Sequence, residues 1–313
     1  GAAEQPDITF LASKAAADAH LLALGISAVV LRPSLVLGAG GASSEWLARL
    51  SPWPLIPLLD TGARLQPLHV EDLVGAVLAL LRRWPEHSRI LPLVGPQSMT
   101  QGQLLDRLRA AQGWSAGRYL ELPRPLARAL AGLGDRLGWR ALNGQTLRLA
   151  QRDNLADTAA LQQACGYRAA PLASRLQGWP TPAASVSMAL RPLMLGVLLL
   201  IWLGTAVVCL GPGYAWGLRI MAEVGLAGWP AALAVIAGGL LDGVLGLGLL
   251  FSRWRTRVLK AQWLLMLGYT LAISLLLPGY WFDPYAAVAK NLVLLVATLW
   301  LLWTEPAAKQ APG

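Results

Sequence analysis

Apolar and polar positions divide this chain into two kinds of pattern. From residue 193 onward, the runs 193–210, 230–251, 261–277 and 286–303 are almost free of charge and 17 to 22 residues long. At about 1.5 Å rise per residue, each run is long enough as a helix to cross a hydrocarbon core of roughly 30 Å. One such run is compatible with a buried helix of a large soluble domain. Four in succession, joined by short polar connections, predict an all-α bundle of four transmembrane helices. Before residue 190 the pattern is that of α/β structure. Residues 10–24, FLASKAAADAHLLAL, favour helix, and Gly25 is well placed to end it. The next segment, ISAVVLRPSLVLG, has a β-branched centre at 28–31 that predicts a buried parallel strand, interrupted by Pro33 and closed by Gly38.

A helix feeding a strand of that kind is half of a βαβ crossover. Further on, His69-Val70-Glu71-Asp72 precedes LVGAVLALLRRW, which predicts a helix with acids in its first turn and Arg82 and Arg83 in its last. Residues 89–95, RILPLVG, predict a second strand, and Thr100 is a suitable N-cap for QGQLLDRLRAAQ.

Charge adds an orientation. The connection between the second and third runs carries Arg253, Arg255, Arg257 and Lys260 with no acid. The other connections hold Arg219 against Glu223, and Asp283. Cytoplasmic connections are enriched in Lys and Arg, which places Arg191 and all before it, and Lys309, on the cytoplasmic side. Trp216, Trp229, Trp254, Trp281 and Trp303 fall near the ends of the runs, the depth that amphipathic rings favour. The net charge of +9 divides as +5 over residues 1–190 (18 basic, 13 acidic) and +4 over 191–313 (8 basic, 4 acidic). Basic surface beside membrane helices points to anionic lipid, and no nucleic-acid motif is present. Cys165 and Cys209 lie in different parts of the chain and give no disulfide framework. The histidines and acids show no metal-ligand spacing, and Ser34, in R-P-S-L-V, is not in a Gly-x-Ser-x-Gly elbow.

Ser13-Lys14 in the first helix, then LRPSLVLG, PLHVEDLVGAV and LVGPQSMTQGQLLDRLR, resemble in order and spacing the second half of an extended or atypical short-chain dehydrogenase/reductase. Relatives of that family include nucleotide-sugar epimerases and the Rossmann accessory subunit of respiratory complex I. The segments LLDGVLGLGLL and LLPGYWFDPYAAVAKNLVLL, the basic connection and the closing Glu305 are similar to the DoxX-like membrane family. The two resemblances imply an incomplete Rossmann-type domain over 1–182, a juxtamembrane linker over 183–190, a DoxX-like membrane domain over 191–305 and a tail over 306–313. They also imply NAD or NADP as cofactor. Lys14 would be a ligand of the cofactor ribose, and Arg32, Pro33 and Ser34 would lie beside the nicotinamide carboxamide.

Two departures bear on activity. The family's proton-transferring Tyr stands four residues before the Lys, and here that position is Phe10, which has no titratable group. The Gly-rich strand-to-helix turn that cradles a pyrophosphate is missing from the soluble part. The chain also opens at Gly1 without a signal-peptide pattern, and the expectation is that the missing half precedes it. His69 reads as a structural histidine.

The arginine-rich stretch 123–152 reads either as a substrate-side helical subdomain with a solvated face, or as a helix lying on the cytoplasmic leaflet. Asp242, about 18 Å into the second run, is expected to face the bundle interior, and Lys290 lies about one turn into the fourth. Pairing them requires Lys290 to reach inward instead of snorkelling.

Two functions are consistent with the pattern, and a third needs a polar path that the glycine- and leucine-rich runs do not visibly supply. One is a membrane-anchored oxidoreductase- or epimerase-like protein of a bacterial inner membrane, acting on a lipid-soluble molecule such as a quinone or isoprenoid. The second is a non-catalytic assembly or sensing protein that retains a nucleotide-binding shell. The third is a proton relay through Asp242 and Lys290. The number of assembled copies is left open.

Overall fold

The structure, a computed structural model, describes residues 9–58, 62–136, 138 and 143–305. Lys309 and Arg140 lie outside those residues, as does the side chain of Phe10. Two compact units are present, Gly1–Ala189 and Leu190–Gly313.

The first unit opens with α1 (Thr9–Leu22), followed by β1 (Val29–Pro33) and β2 (Val36–Leu37). Next come α2 (Ala42–Leu50), β3 (Leu55–Leu58), β4 (Arg64–Leu65), β5 (Leu68–His69), α3 (Val70–Arg82) and β6 (Arg89–Leu93). The remaining elements are β7 (Met99–Thr100), α4 (Gln101–Ala111), β8 (Arg118–Glu121), α5 (Arg124–Arg136), α6 (Gly144–Ala150), α7 (Ala159–Cys165) and α8 (Leu172–Arg175). The expected helix and strand therefore form as α1 and β1. Strand β1 pairs with β6 in parallel, from Val29 opposite Arg89 to Pro33 opposite Leu93. β2 with β5 and β3 with β8 are also parallel, and β4 with β7 is antiparallel. Thr100 caps α4 through a capping box with Gln103, as its sequence suggests. His69 is 8% exposed, and its Nδ1 accepts the amide of Glu71 at 3.4 Å at the start of α3, a structural role.

Asp72, one of the acids expected in the first turn of this helix, has a further role. It is fully buried and accepts from the Tyr167 hydroxyl (2.9 Å), the Ala170 amide (3.2 Å) and both Nε (3.3 Å) and an Nη (3.0 Å) of Arg175. Sequence distance hid this network, because its partners lie 95 to 103 residues away. Helix α3 is also apolar on two sides. It buries Ala76 and Leu80 against Leu68, Leu91, Leu93 and Leu161, and leaves Val74, Leu78 and Leu81 exposed. In the stretch 123–152, α5 and α6 bury Ala127, Ala131 and Leu147 between them while Arg124 and Arg128 stay exposed.

The second unit is all-α. Helix α9 (Pro182–Leu210) starts before the unit boundary, and α10 (Tyr214–Glu223), α11 (Trp229–Gly248), α12 (Arg255–Leu276) and α13 (Ala289–Trp303) follow. A 3-10 turn, Pro278–Phe282, precedes α13. The helices α9, α11 and α12 are long and apolar enough to cross a membrane. The fourth expected run is apolar but shorter. Pro284 and a left-handed Ala286 (φ 52°) delay helix until Ala289, leaving 15 residues, about 22 Å. The basic connection is also not a loop, because Arg255, Arg257 and Lys260 already belong to the opening turns of α12. The core of this unit is Leu198, Trp202, Leu249, Val258, Leu259, Met266, Leu295 and Leu301. Gly239 and Gly246 let α9 approach, since a Cβ there would sit 2.9 Å from Leu210 and 3.0 Å from Leu203.

Two measurements test the Asp72 network. Asp72→Ala leaves a half-buried phenol and a partly exposed guanidinium without their acceptor, and should cost about 2 kcal/mol. Protease resistance of residues 9–180 in the intact protein reports that loss. Burial, reinforced by the Asp72 hydrogen bond, also raises the Tyr167 phenol above its usual 10.0. The unfolded chain therefore loses that proton first, so stability should fall as pH climbs from about 10 through the raised value. Tyr167→Phe should remove that component of an alkaline melting series.

Candidate functional site

Arg32, Pro33 and Ser34 lie at the carboxyl end of β1, and Lys14 lies on α1. Arg32 turns toward α1, donating Nε to Asp18 at 3.0 Å, with an Nη 2.8 Å from the same carboxylate oxygen. Both side chains are largely sheltered, at 23% and 17% exposure. Asp18 lies one helical turn after Lys14, so the two share a face of α1. Residues 23–28 make a short connection from α1 to β1, which requires the helix to run back along the strand. The exposed Lys14 is therefore carried about 6 Å beyond the Asp18–Arg32 pair, toward Pro33 and Ser34. In open parallel sheets the carboxyl ends of strands are where ligands collect.

Ser34 is the most informative of these side chains. It is 7% exposed, its amide donates to the Leu93 carbonyl at 2.9 Å, and its Oγ has no protein partner. A buried hydroxyl left without a partner costs on the order of 1–3 kcal/mol, so this oxygen is suited to a group the protein does not itself supply. Pro33 is exposed at the strand end. Gly95 lies at the end of the neighbouring β6, where a Cβ would strike the Pro67 carbonyl. The orphaned Ser34 hydroxyl at this strand end fits a hydrogen-bonding group that a bound cofactor would bring. Among the described residues nothing resembles a pyrophosphate cradle, so the fit is confined to this strand end. A separate cleft of about 490 Å³ is lined by Arg64, Gln97, Ser98, Gln103, Asp106 and Arg107, and includes none of these residues.

The sequence reading missed Asp18, although its i+4 spacing from Lys14 was a usable signal. Phe10 falls in α1, one turn before Lys14, with its side chain undescribed.

In the second unit Asp242 faces inward as expected, at 7% exposure, with Oδ1 unpartnered. It does not pair with Lys290, which is exposed and makes no ion pair among the described residues. Gly239 packs on Cys209 and Leu210, and Gly246 on Trp202 and Leu203, so the packing on both sides of Asp242 is tight. Gln262, fully buried, donates Nε2 to the Leu245 carbonyl at 3.1 Å. Asn291 donates to the Thr270 hydroxyl at 3.2 Å. A polar cluster that the sequence reading did not assemble closes the end of the unit where α9 begins and α13 finishes. Glu305 takes an ion pair from Arg191 and a second from Arg255 at 3.6 Å. Arg191 also donates to the Leu301 carbonyl (3.2 Å) and the Thr304 hydroxyl (2.9 Å), and Arg255 to the Leu249 carbonyl (3.0 Å).

The two units thus define a class: a partial, mostly parallel α/β fold, and a helical unit with three helices long and apolar enough to cross a membrane. Residues 199–299 match the DoxX-like family, as the resemblance implied. Over 108 residues the chain is 26% identical to the mitochondrial NADH dehydrogenase (ubiquinone) 1 alpha subcomplex subunit 9 of Dictyostelium discoideum, covering 34% of this chain and 30% of that protein. Among solved structures it is similar to RMD from Pseudomonas aeruginosa complexed with NADPH, at 19% identity and TM-score 0.41, over 58% of this chain and 55% of that one. It is also similar to UDP-glucose 4-epimerase from Bifidobacterium longum in complex with NAD+ and UDP, at 16% identity and TM-score 0.37, over 58% and 52%. The chain spans about half the length of these solved proteins and under a third of the curated relative. The helical unit is that of a membrane protein.

Opposite outcomes are expected for the two acids of the second unit. Glu305→Gln should lower stability by about 3 kcal/mol, because two sheltered guanidiniums lose their shared carboxylate. Asp242→Asn should leave stability unchanged or raise it, since an unpaired carboxyl is removed from an apolar interior. Thermal melting of the full chain in detergent compares them directly.

Proposed function

We propose that this is a membrane-anchored, NAD(P)-binding protein of oxidoreductase type, with its α/β unit at the cytoplasmic face of a bacterial inner membrane and a lipid-soluble molecule as substrate. The observation that carries the reading is the unpartnered, buried Ser34 Oγ at the carboxyl end of β1, with Lys14 on the adjoining helix face. The name of the Dictyostelium relative, a subunit of an NADH dehydrogenase, supports a nicotinamide cofactor. The bound nicotinamide would supply the hydride chemistry. Lys14 would hold the ribose hydroxyls with its ammonium group, Ser34 would hydrogen-bond the bound group, and the Arg32–Pro33 backbone would present the strand end to the carboxamide. The Asp18–Arg32 pair keeps the guanidinium turned to α1 and out of that space.

The pyrophosphate side must come from elsewhere. β1 pairs only with β6 among the described residues, and α3 leaves Val74, Leu78 and Leu81 bare. A free edge on a parallel strand and an uncovered apolar helix face support a sheet completed by a further strand and helix, in preceding chain or in another polypeptide. The cytoplasmic orientation rests on the cationic end of the bundle, which the positive-inside bias assigns to that side.

A second reading is favoured by Phe10. Without a titratable group there, the site has no proton donor of the family's kind, and the unit would serve as a cofactor-dependent assembly or sensing module. Titration of the full protein by NADH and NADPH should raise nicotinamide fluorescence, and Lys14→Ala should weaken binding about tenfold, a loss of roughly one charge-assisted hydrogen bond. Absence of binding by both nucleotides defeats the first reading. Gain of reductase turnover in Phe10→Tyr supports it over the second.

A further inference from the structure

The charge at the two ends of the helical unit is unequal in a way that the ion pairs do not absorb. At the level of Arg191 on α9, where α11 ends, α12 begins and α13 ends, five cations among the described residues (Arg191, Arg253, Arg255, Arg257 and Lys260) meet one acid, Glu305. That acid is taken up by Arg191 and Arg255, both of which also cap backbone carbonyls. Arg253, Arg257 and Lys260 are exposed and make no ion pair among the described residues. The opposite end is balanced, with Arg219 and Lys290 against Glu223 and Asp283.

The position of the three cations narrows what they meet. On α12 the buried side is Val258, Leu259, Gln262, Met266 and Thr270. The other side reads Arg257, Lys260, Leu264, Gly268, Leu271 and Leu275 at helical spacing, and every one of these residues is exposed. Leu264 is 62% exposed and Leu275 80%, which marks this stripe as the lipid-facing one. A single helix face therefore passes from cations to bare hydrocarbon within about 6 Å, the distance from Lys260 to Leu264. Arg253 lies one turn before Arg257, over the exposed Trp254 ring at 5.6 Å. An indole at that level sits at headgroup depth. Cations whose side chains open toward lipid at that depth face phosphates of the membrane itself, and the dipole of α12, positive at the same end, adds to the attraction.

We propose that Arg253, Arg257 and Lys260 form a binding surface for the headgroups of anionic phospholipids. The proposal rests on the membrane reading of this unit and goes beyond it by assigning a lipid class to named residues. Each cation near a surface of this kind contributes about one order of magnitude or slightly less, so three together are worth on the order of a hundredfold.

The test uses the full chain, purified in detergent, stripped of lipid and returned to vesicles of phosphatidylcholine with or without phosphatidylglycerol, with bound lipid counted by native mass spectrometry. Wild type should retain phosphatidylglycerol in preference to phosphatidylcholine, and raising salt from 0.05 to 0.5 M should weaken the preference, given a Debye length of ~10 Å at 0.1 M. The combined Arg253→Gln, Arg257→Gln and Lys260→Gln variant should lose most of that preference, by on the order of a hundredfold in affinity, while Arg219→Gln at the other end keeps it. Equal retention of the two lipids by wild type overturns the proposal, as does an undiminished preference in the triple variant. Displacement by inorganic phosphate without any vesicle preference also overturns it, by assigning the cations to a free anion. A chain that inserts into vesicles but shows no lipid preference defeats this proposal alone. One that stays in the supernatant defeats the membrane reading as well.

Discussion

Sharing of the Glu305 carboxylate by Arg191 and Arg255 is the contact on which the helical unit depends. It joins residues 114 positions apart in sequence and fixes Arg191 of α9, the start of α12 and the end of α13 at one level. Helices immersed in lipid gain little from apolar association alone, because lipid tails are as apolar as the side chains they would replace. A polar clasp at the rim, with glycine-mediated close approach below it, supplies what the hydrophobic effect does not. The two arginines also accept responsibility for carbonyls of α11 and α13 that have no partner within their helices.

The α/β unit is organised by the opposite force. Its parallel strands are stitched to buried leucines, and its polar anchor is the Asp72 cluster joining α3 to the segment 167–175. The placement of Lys14, Arg32 and Ser34 follows from this frame. β1 is held in register with β6, so its end is fixed, and the Asp18–Arg32 pair then sets how α1 lies against it. A side chain one turn along α1 acquires a defined place although it is itself exposed.

Periodic features were legible in the sequence. The apolar runs, the β-branched strand at 28–31, the capping Thr100 and the inward direction of Asp242 all follow from spacing within a few residues. Features that depend on distant partners were not. Asp72 reads locally as a helix-end acid, and only the chain folding back at 167–175 turns it into a buried acceptor. The fourth apolar run looks uniform in hydropathy, yet Pro284 and the left-handed Ala286 set where helix starts, a backbone constraint invisible to an apolar count. Short strands of two residues, such as β2, β4 and β5, carry too little pattern to be seen before their partners are known.

The shortness of α13 has a consequence for the bilayer around it. Fifteen residues cover about 22 Å, some 8 Å less than a typical hydrocarbon thickness. Its neighbours α9, α11 and α12 are longer, and an apolar helix this short, set across a bilayer, calls for local thinning, snorkelling of its flanking residues or association with another helix.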